Sequence, residues 1–177
     1  MRGRIGPEDK DDKSIRILNR VVEWNESGIT YEADQRHAEI IMRELGLTKE
    51  SNGCVAPAER DTRICPEDAG ELLDRGTAKM YTGMTARGIY LSQDRSDIGY
   101  AVKELSRRMQ EPREMDWEKL KRLGRYLVGR ERMRVDFEYQ EKGGRIDVWT
   151  DSDYAGCRET RKSTSGGVIR IGSHTIK

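Results

Sequence analysis

The spacing of apolar residues changes after Gly129 of this 177-residue chain, and that change restricts the fold more than any single motif. From about Gln35 to Gly129, apolar side chains recur at intervals of three and four, as at Leu120, Leu123 and Leu127. From Val135 onward they alternate with charged residues. The first spacing is typical of an amphipathic helix and the second of a half-buried strand. The sequence therefore predicts an α+β fold in which helices are followed by strands.

Four helices are predicted from this spacing and from residues that favour helix ends. The first runs from about Gln35 to Leu45, with Asp34 as its N-cap and Gly46 as its stop. His37 is expected on its solvent side. The other three are expected over 71–84, from a cap at Asp94 or Ser96 to Met109, and over 113–128. Gly83 and Gly88 indicate loops.

Runs rich in β-branched and aromatic residues predict the strands. The first hairpin is expected to pair 14–24 with 29–33, and a second to pair 135–139 with 146–150 around Gly143-Gly144. Two more strands, 166–171 and 174–177, follow with a turn at Gly172-Ser173. Because the last strand stops at Lys177, the sheet is expected to be truncated.

Composition excludes several classes of protein. Charged residues make up 37% of the chain and hydrophobic residues 34%, and no apolar stretch approaches the 18 residues of a membrane span. The N terminus has no apolar segment of a secretory signal. Three scattered cysteines and two distant histidines do not have the spacing of a zinc site or a disulfide framework. Carboxylates remain the plausible metal ligands.

Positive charge is concentrated in residues 103–134, which contain eleven Lys and Arg against six Asp and Glu. Such a stripe is typical of a surface that contacts the phosphates of nucleic acid. A solvated helical face explains the same charges equally well. The candidate nucleic-acid-binding residues of this stripe are Arg107, Arg108, Lys121, Arg122 and Arg125.

Asp151 is the candidate carboxylate with the clearest context. It ends a predicted strand and precedes a loop that contains Arg161, Lys162, Ser163 and Thr164. Magnesium prefers carboxylate and phosphate oxygens, and the basic and hydroxyl groups of this loop suit a phosphodiester. One carboxylate does not hold the two ions of a two-metal nuclease. On spacing alone, Asp151 as a turn carboxylate and Asp151 as a metal ligand both stay open.

Residues 88–177 resemble the C-terminal part of a copia-type retrotransposon Pol polyprotein. The motifs that carry the resemblance are Arg95-Ser96-Asp97-Ile98-Gly99-Tyr100-Ala101-Val102, Leu105-Ser106-Arg107-Arg108-Met109, Leu120-Lys121-Arg122-Leu123-Gly124-Arg125-Tyr126-Leu127, Asp151-Ser152-Asp153-Tyr154-Ala155-Gly156 and Thr160-Arg161-Lys162-Ser163-Thr164-Ser165-Gly166-Gly167. The chain departs from the family at Ser96, where the family usually has Pro, and at Tyr154, where it has Trp. Residues 16–47 resemble the end of the reverse transcriptase palm more loosely.

The resemblance implies a domain order. It assigns 1–13 to a disordered tail, 14–65 to the end of a reverse transcriptase palm, 66–134 to a helical thumb and connection, and 135–177 to a truncated ribonuclease H-like domain. In the last of these, Asp151 matches the first magnesium-binding carboxylate, expected near the middle of a sheet face. Asp153 matches an acidic position without an assigned ligand role. Arg161, Lys162, Ser163 and Thr164 match a block that is expected to contact nucleic acid.

The resemblance also implies a function. The chain is expected to be a fragment of an enzyme that synthesises DNA on RNA and cleaves RNA–DNA hybrids with Mg²⁺, with its own active sites incomplete. The polymerase carboxylates are expected upstream of Met1 and the remaining nuclease carboxylates downstream of Lys177. Its expected partners are hybrid or duplex nucleic acid and the rest of the Pol polyprotein, without a membrane. The expected location is intracellular: the cytoplasm, a virus-like particle or the nucleus. Two alternatives stay open, a non-catalytic nucleic-acid-binding or inert remnant of a mobile element, and an unrelated helical adaptor.

Overall fold

The structure, a computed structural model, describes residues 4–59, 69–141, 145–157 and 160–176. The first elements are strands β1 (Ser14–Ile17), β2 (Arg20–Asn25) and β3 (Gly28–Glu32). They are followed by helices α1 (Arg36–Glu44), α2 (Arg75–Leu91), α3 (Gly99–Ser106) and α4 (Glu114–Leu127). The last are strands β4 (Arg134–Glu138), β5 (Ile146–Ser152), β6 (Ser165–Ile171) and β7 (His174–Thr175). The α+β class is confirmed, and none of the described helices has the length and apolar character needed to cross a membrane.

The first sheet has the strand order β1–β2–β3–β4. The single strand predicted over 14–24 is wrong, because the chain reverses direction at Leu18 and Asn19. Both residues have positive φ, 50° and 64°, as in a two-residue hairpin turn. The sequence gives no glycine at this turn, so its composition did not indicate it.

Strand β4 pairs with β3, and the predicted hairpin between 135–139 and 146–150 is wrong. The ladder is continued by a hydrogen bond from the Tyr139 amide to the Ser27 carbonyl at 2.8 Å. Gly28 permits this close pairing, since a Cβ there would lie 2.1 Å from the Phe137 carbonyl oxygen. Alternation along β4 predicted a strand but contained no information about its partner. Gly143-Gly144 lies outside the described residues.

The second sheet has the order β5–β6–β7. β5 and β6 pair antiparallel from Ile146 opposite Ile171 to Ser152 opposite Ser165. β7 continues the sheet with His174 opposite Ile171. Face assignment follows from this register, because directly opposed residues point to the same side of a sheet.

The predicted helices agree with the structure where the apolar spacing is regular. α1 and α4 end within one residue of the predicted bounds. α2 is displaced: it begins after Asp74, whose side chain accepts hydrogen bonds from the Gly76 and Thr77 amides, and continues through Gly88. Gly88 therefore lies within a helix and not in a loop. It packs closely on α3, since a Cβ at this position would lie 3.2 Å from Val102 Cγ2.

Two expected helix caps differ from the structure. Asp34 precedes the N-cap of α1, which is Gln35, and its carboxylate accepts the Arg36 amide at 2.9 Å. α3 is preceded by a 3₁₀ turn over Ser96–Ile98, and neither Asp94 nor Ser96 caps it.

The chain divides into two compact units. One consists of residues 1–15, 22–31 and 135–177, and the other of 16–21 and 32–134. The second unit holds all four described helices and a hydrophobic core. The core residues that are buried are Ala38, Ile41, Met42, Tyr81, Met84, Leu91, Ile98, Ala101, Val102, Leu105, Leu120, Leu123, Leu127 and Val128.

Residues 4–13 of the first unit form a closed loop, which differs from the disordered tail expected there. The Asp12 amide donates to the Arg4 carbonyl at 2.8 Å, and the Lys13 ammonium donates to the Gly6 carbonyl at 2.8 Å. Asp11 is buried, and its carboxylate accepts the Glu8 amide. These internal hydrogen bonds close the loop without help from an apolar strand.

Candidate functional site

Asp151, the predicted metal ligand, lies on β5 opposite Gly166, and its side chain is exposed. It is the sixth of the seven residues of an outer strand of its described sheet, not near the middle of the sheet face as expected. A Cβ at Gly166 would meet nothing within 4 Å, so the neighbouring position across the ladder is open. Asp151 is therefore accessible to a ligand from solvent.

The described residues around Asp151 do not fit a resident magnesium ion. Magnesium prefers six oxygen ligands and usually takes one or two carboxylates with phosphate or water oxygens. In the described parts of the chain, no group of three or more His, Cys, Asp or Glu side chains is placed to hold a metal. Asp153 is engaged elsewhere, since its Oδ1 accepts the Thr164 amide at 2.6 Å and the Gly156 amide at 3.4 Å. Asp151 thus supplies a single carboxylate.

The loop between β5 and β6 is held by its own hydrogen bonds. The Ser163 hydroxyl accepts the Ala155 amide at 3.1 Å, and the Cys157 amide donates to the Lys162 carbonyl at 3.1 Å. Ala155 and Arg161 have positive φ, which fixes two sharp bends. The side chains of Arg161 and Lys162 are exposed, whereas Ser163 and the Thr164 amide help to hold the loop. Of the four predicted contacts, Arg161, Lys162 and Ser163 are exposed and Thr164 is half-buried.

The basic stripe predicted over 103–134 is divided between two ends of a helix pair. The Tyr126 hydroxyl donates to Asp97 Oδ2 at 2.9 Å, which places the end of α4 beside the start of α3. The two helices therefore run antiparallel. Arg107 and Arg108 follow α3 at one end, and Arg125 lies in the last turn of α4 at the other.

Local carboxylates neutralise part of this charge. Arg107 lies 3.4 Å from Glu104, and Lys121 lies 2.8 Å from Glu118. Arg122 is half-buried and forms an ion pair with Glu59. The exposed members of the predicted set on α4 are Lys121 and Arg125. Exposed ion pairs of this kind are weak, so a phosphate can compete for their cations.

Arg95, Asp97 and Tyr126 form a partly buried network to which the sequence pattern assigned no role. Arg95 is 2% exposed, and its guanidinium donates twice to the Asp97 carboxylate, at 3.1 and 2.7 Å. It also donates to the Arg130 carbonyl just beyond α4. Together with the Tyr126 hydroxyl bond, these contacts join the start of α3 to the end of α4. We call Arg95, Asp97 and Tyr126 the helix clamp.

The helix clamp changes the acidity of its members. Burial alone would raise the pKa of Asp97, but the hydrogen bonds and charge of Arg95 and the Tyr126 hydroxyl bond hold it below its usual value. Burial, and then the bond to the Asp97 carboxylate, raises the pKa of Tyr126. Both groups therefore keep one protonation state near neutral pH, as expected of a structural contact.

Glu32 forms a second charged cluster that had no sequence signal, because its partners lie 100 and 102 residues away. Arg132 donates to both Glu32 oxygens, at 2.8 and 2.6 Å, and Arg134 donates to Oε2 at 2.8 Å. Glu32 is 6% exposed. The hydrogen bonds from Arg132 outweigh the effect of burial, and with Arg134 they lower the pKa of Glu32 to about 2. Two of the basic residues in the stripe are thus part of the fold.

His37 is not on the solvent side of α1 as predicted. Its ring lies 4.5 Å from the Tyr90 ring, and its Nε2 lies 3.8 Å from Asp34 Oδ2. Burial lowers the pKa of His37, and the Asp34 charge opposes that change without cancelling it. The imidazole is therefore a packing group between α1 and α2.

Comparison with known proteins identifies relatives of part of the chain. It is 34% identical over 98 residues to the retrovirus-related Pol polyprotein from transposon RE2 of Arabidopsis thaliana, and 35% identical over 98 residues to that from transposon RE1. Each match covers 54% of this chain. The homologues are retrotransposon Pol polyproteins. An uncharacterised mitochondrial protein of the same plant is 40% identical over 91 residues, or 49% of this chain.

These matches confirm the resemblance to Pol and also define its extent. The chain spans 36% of the length of the mitochondrial relative and 6% of each polyprotein. No family model matches the chain. No solved structure matches it either.

Proposed function

We propose that this chain is the nucleic-acid-handling segment of a retrotransposon reverse transcriptase–ribonuclease H. The identity to two Pol polyproteins over 98 residues carries the proposal. In this proposal, helices α2–α4 correspond to a thumb and connection that contact a primer–template. Strands β5–β7 correspond to the beginning of a nuclease sheet. The exposed cations on α4 and in the β5–β6 loop supply phosphate contacts.

The chemistry of binding follows from those cations. Lys121 and Arg125 are exposed on one side of α4, one turn apart, so both can contact the same strand of a duplex. Arg161 and Lys162 offer a separate pair in the β5–β6 loop. Each phosphate that a protein neutralises contributes about 0.9 to the slope of log affinity against log salt. Such contacts give affinity without reading the base sequence.

Asp151 has a different role in this proposal. It supplies one carboxylate of a hybrid-cleaving centre, and the other ligands come from elsewhere in the polyprotein. Magnesium, when bound there, would stabilise the charge that develops on the phosphodiester. The exposure of Asp151 and the open position at Gly166 support this assignment.

Binding is tested by fluorescence anisotropy with a labelled RNA–DNA hybrid of 20 base pairs over a series of salt concentrations. The Lys121→Ala/Arg125→Ala variant should lower the salt slope by about 1.8, since two phosphate contacts are lost. Arg43→Ala is the control, because Arg43 is an exposed helical arginine whose ion-pair partner among the described residues is Glu44. A slope unchanged in the double variant, or lowered equally in the control, would contradict the proposal.

The role of Asp151 is tested in the polyprotein that contains this chain. Asp151→Asn should abolish hybrid cleavage, and Asp147→Asn should leave it intact. Asp147 is the matched control, since it lies on the same face of β5, four residues earlier, and is paired with Arg145. Cleavage at the normal rate by Asp151→Asn would show that Asp151 is not a ligand.

One observation favours a second candidate, a non-catalytic nucleic-acid-binding remnant. The described residues contain no group of three potential metal ligands. In that case the salt-dependent binding is the same, but Asp151→Asn has no effect in any context. An inert remnant would not bind the hybrid at any salt concentration.

A further inference from the structure

A cavity of about 490 Å³ lies beside α1, within the unit that holds the four described helices. Its walls are formed by α1, by residues 46–49, which follow that helix, and by Glu131 and Arg132, which precede β4. The volume is within the range of roughly 300–1,000 Å³ that is typical of small-ligand pockets. None of the cations assigned above to nucleic acid lines the cavity, so the proposed function leaves it without a role.

The lining of the cavity combines an apolar part with charges of both signs. Met42 and Leu47 form the apolar part. Lys49 is an exposed cation at the same cavity, and Glu39 is an exposed anion. Apolar side chains with a few polar groups are typical of sites that hold a small organic ligand and fix its orientation. The cavity therefore suits a ligand with an apolar ring and polar edges.

Glu131 determines which polar edge fits the cavity. Its Oε1 atom is buried and has no hydrogen-bond partner among the described residues. A buried carboxylate oxygen without a donor is destabilising, and a ligand N–H that reaches it removes that cost. Because a carboxylate only accepts hydrogen bonds, the ligand must present donors to it.

We propose that this cavity binds an unpaired guanine nucleotide. Guanine is the base that presents two adjacent donors, N1–H and N2–H, on its Watson–Crick edge, and the two oxygens of one carboxylate can accept both. Uracil offers a single N–H on that edge, and adenine and cytosine offer only an amino group. With the guanine edge at Glu131, the ring packs on Met42 and Leu47, and the phosphate contacts Lys49.

Charge distinguishes a nucleotide from a basic peptide as the occupant. The cations Arg43, Lys49 and Arg132 line the cavity together with the anions Glu39 and Glu131. This excess of cations attracts a phosphate and disfavours the side chain of a Lys or Arg residue. The choice of a nucleotide also rests on the proposed function, in which the chain handles nucleic acid.

The cavity requires a base that is not paired, because the Watson–Crick edge of guanine is occupied in a hybrid duplex. In the proposed function, Lys121 and Arg125 contact the phosphates of a duplex, and neither residue lines the cavity. Binding of the duplex and binding of an unpaired guanine therefore use different residues. Each can fail in an experiment without the other.

The test is fluorescence anisotropy of the full chain with short labelled single strands of thymine that differ at one central position. That position holds guanine in one strand and hypoxanthine in the other, which lacks the N2 amino group. The guanine strand should bind about tenfold more tightly, since the hypoxanthine strand loses one hydrogen bond to a charged group. Unlabelled guanosine monophosphate is added as a competitor.

Glu131→Gln should abolish the preference for guanine, because the new amide group is a donor that faces the donors of the base. Glu111→Gln is the matched control, since Glu111 is an exposed glutamate of the same unit and does not line the cavity. Lys49→Ala should lower the salt slope of the guanine strand by about 0.7, the contribution of one phosphate of a single strand. If circular dichroism shows that Glu131→Gln unfolds, Lys49→Ala decides the test, because Lys49 is exposed.

The remaining outcomes are distinct. Equal affinity for the two strands, a preference that survives Glu131→Gln, or a salt slope unchanged in Lys49→Ala would overturn the proposal. Displacement of the guanine strand by arginine amide but not by guanosine monophosphate would overturn it in favour of a basic side chain. Competition by guanosine monophosphate as strong as that of the strand supports a free nucleotide as the ligand, and weaker competition supports a strand. Failure of the hybrid-binding test at Lys121 and Arg125, with the guanine preference intact, would contradict the duplex contacts alone.

Discussion

Replacing Glu32 by glutamine tests how much the fold depends on a cluster that joins residues 100 positions apart. The pKa of Glu32 is about 2 in the folded chain and about 4.5 when the side chain is free. That difference corresponds to at most about 3.4 kcal/mol of stability at neutral pH. Because Arg132 and Arg134 are 56% and 49% exposed, solvent screens the cluster, and we expect about 2 kcal/mol.

The pH dependence has a defined sign. The folded pKa of Glu32 is lower than the unfolded pKa, so its contribution is fully present above about pH 4.5 and is lost as the pH falls toward 2. Glu32→Gln should therefore destabilise the chain at pH 7 and have little effect near pH 2.5.

The assay is urea denaturation followed by circular dichroism at pH 7, 4 and 2.5. Glu26→Gln is the control, since Glu26 is an exposed glutamate in the turn between β2 and β3. The reasoning is refuted if Glu32→Gln costs less than about 0.5 kcal/mol at pH 7, the range of ordinary surface substitutions. A loss of equal size at pH 7 and 2.5 would also refute it.

Three further changes test the helical unit by urea or thermal denaturation. Asp97→Asn should cost about 3 kcal/mol, because it leaves the buried Arg95 guanidinium without its counter-charge, and a cost below 1 kcal/mol would exclude the helix clamp. The pKa of His37 is lowered in the folded chain, so the contribution of the neutral imidazole to the free energy of unfolding should be lost as the pH falls below about 6.5. His37→Gln should therefore remove this loss of stability between pH 7 and pH 5. Leu123→Ala should cost about 3 kcal/mol because Leu123 is fully buried, and an unchanged urea midpoint would contradict the described core.

Local sequence was sufficient for elements whose pattern is regular and whose ends are marked. α4 follows from Leu120, Leu123 and Leu127, because the spacing of these three residues directly places them on one buried face. α2 was misjudged because Gly88 suggests a loop locally, whereas in the fold Gly88 lies within the helix and the close approach of Val102 from another helix favours a small residue there. The space a residue occupies is set by its neighbours in the fold, which the local pattern does not contain.

In the candidate site, too, local features were predicted from the sequence and long-range ones were not. The strand that carries Asp151 was predicted from alternation, while its position on an outer strand was not. The basic stripe was interpreted as one surface, because the sequence shows that Arg132 is present but not that it donates a hydrogen bond to Glu32. Long-range pairs of this kind have no periodic signal in the sequence, so only the folded chain identifies them.

The helix clamp has a consequence for how relatives of this chain are recognised. Two of the motifs that carry the resemblance, those containing Arg95-Ser96-Asp97 and Tyr126, meet in space through the clamp. In this chain the two motifs therefore contribute to the docking of two helices. Mutational drift that erased the chemistry of a mobile-element copy would leave them readable for as long as the encoded chain was selected to fold. In such a sequence, the residues that reveal ancestry differ from those that catalysis requires. The helix clamp belongs to the residues that reveal ancestry.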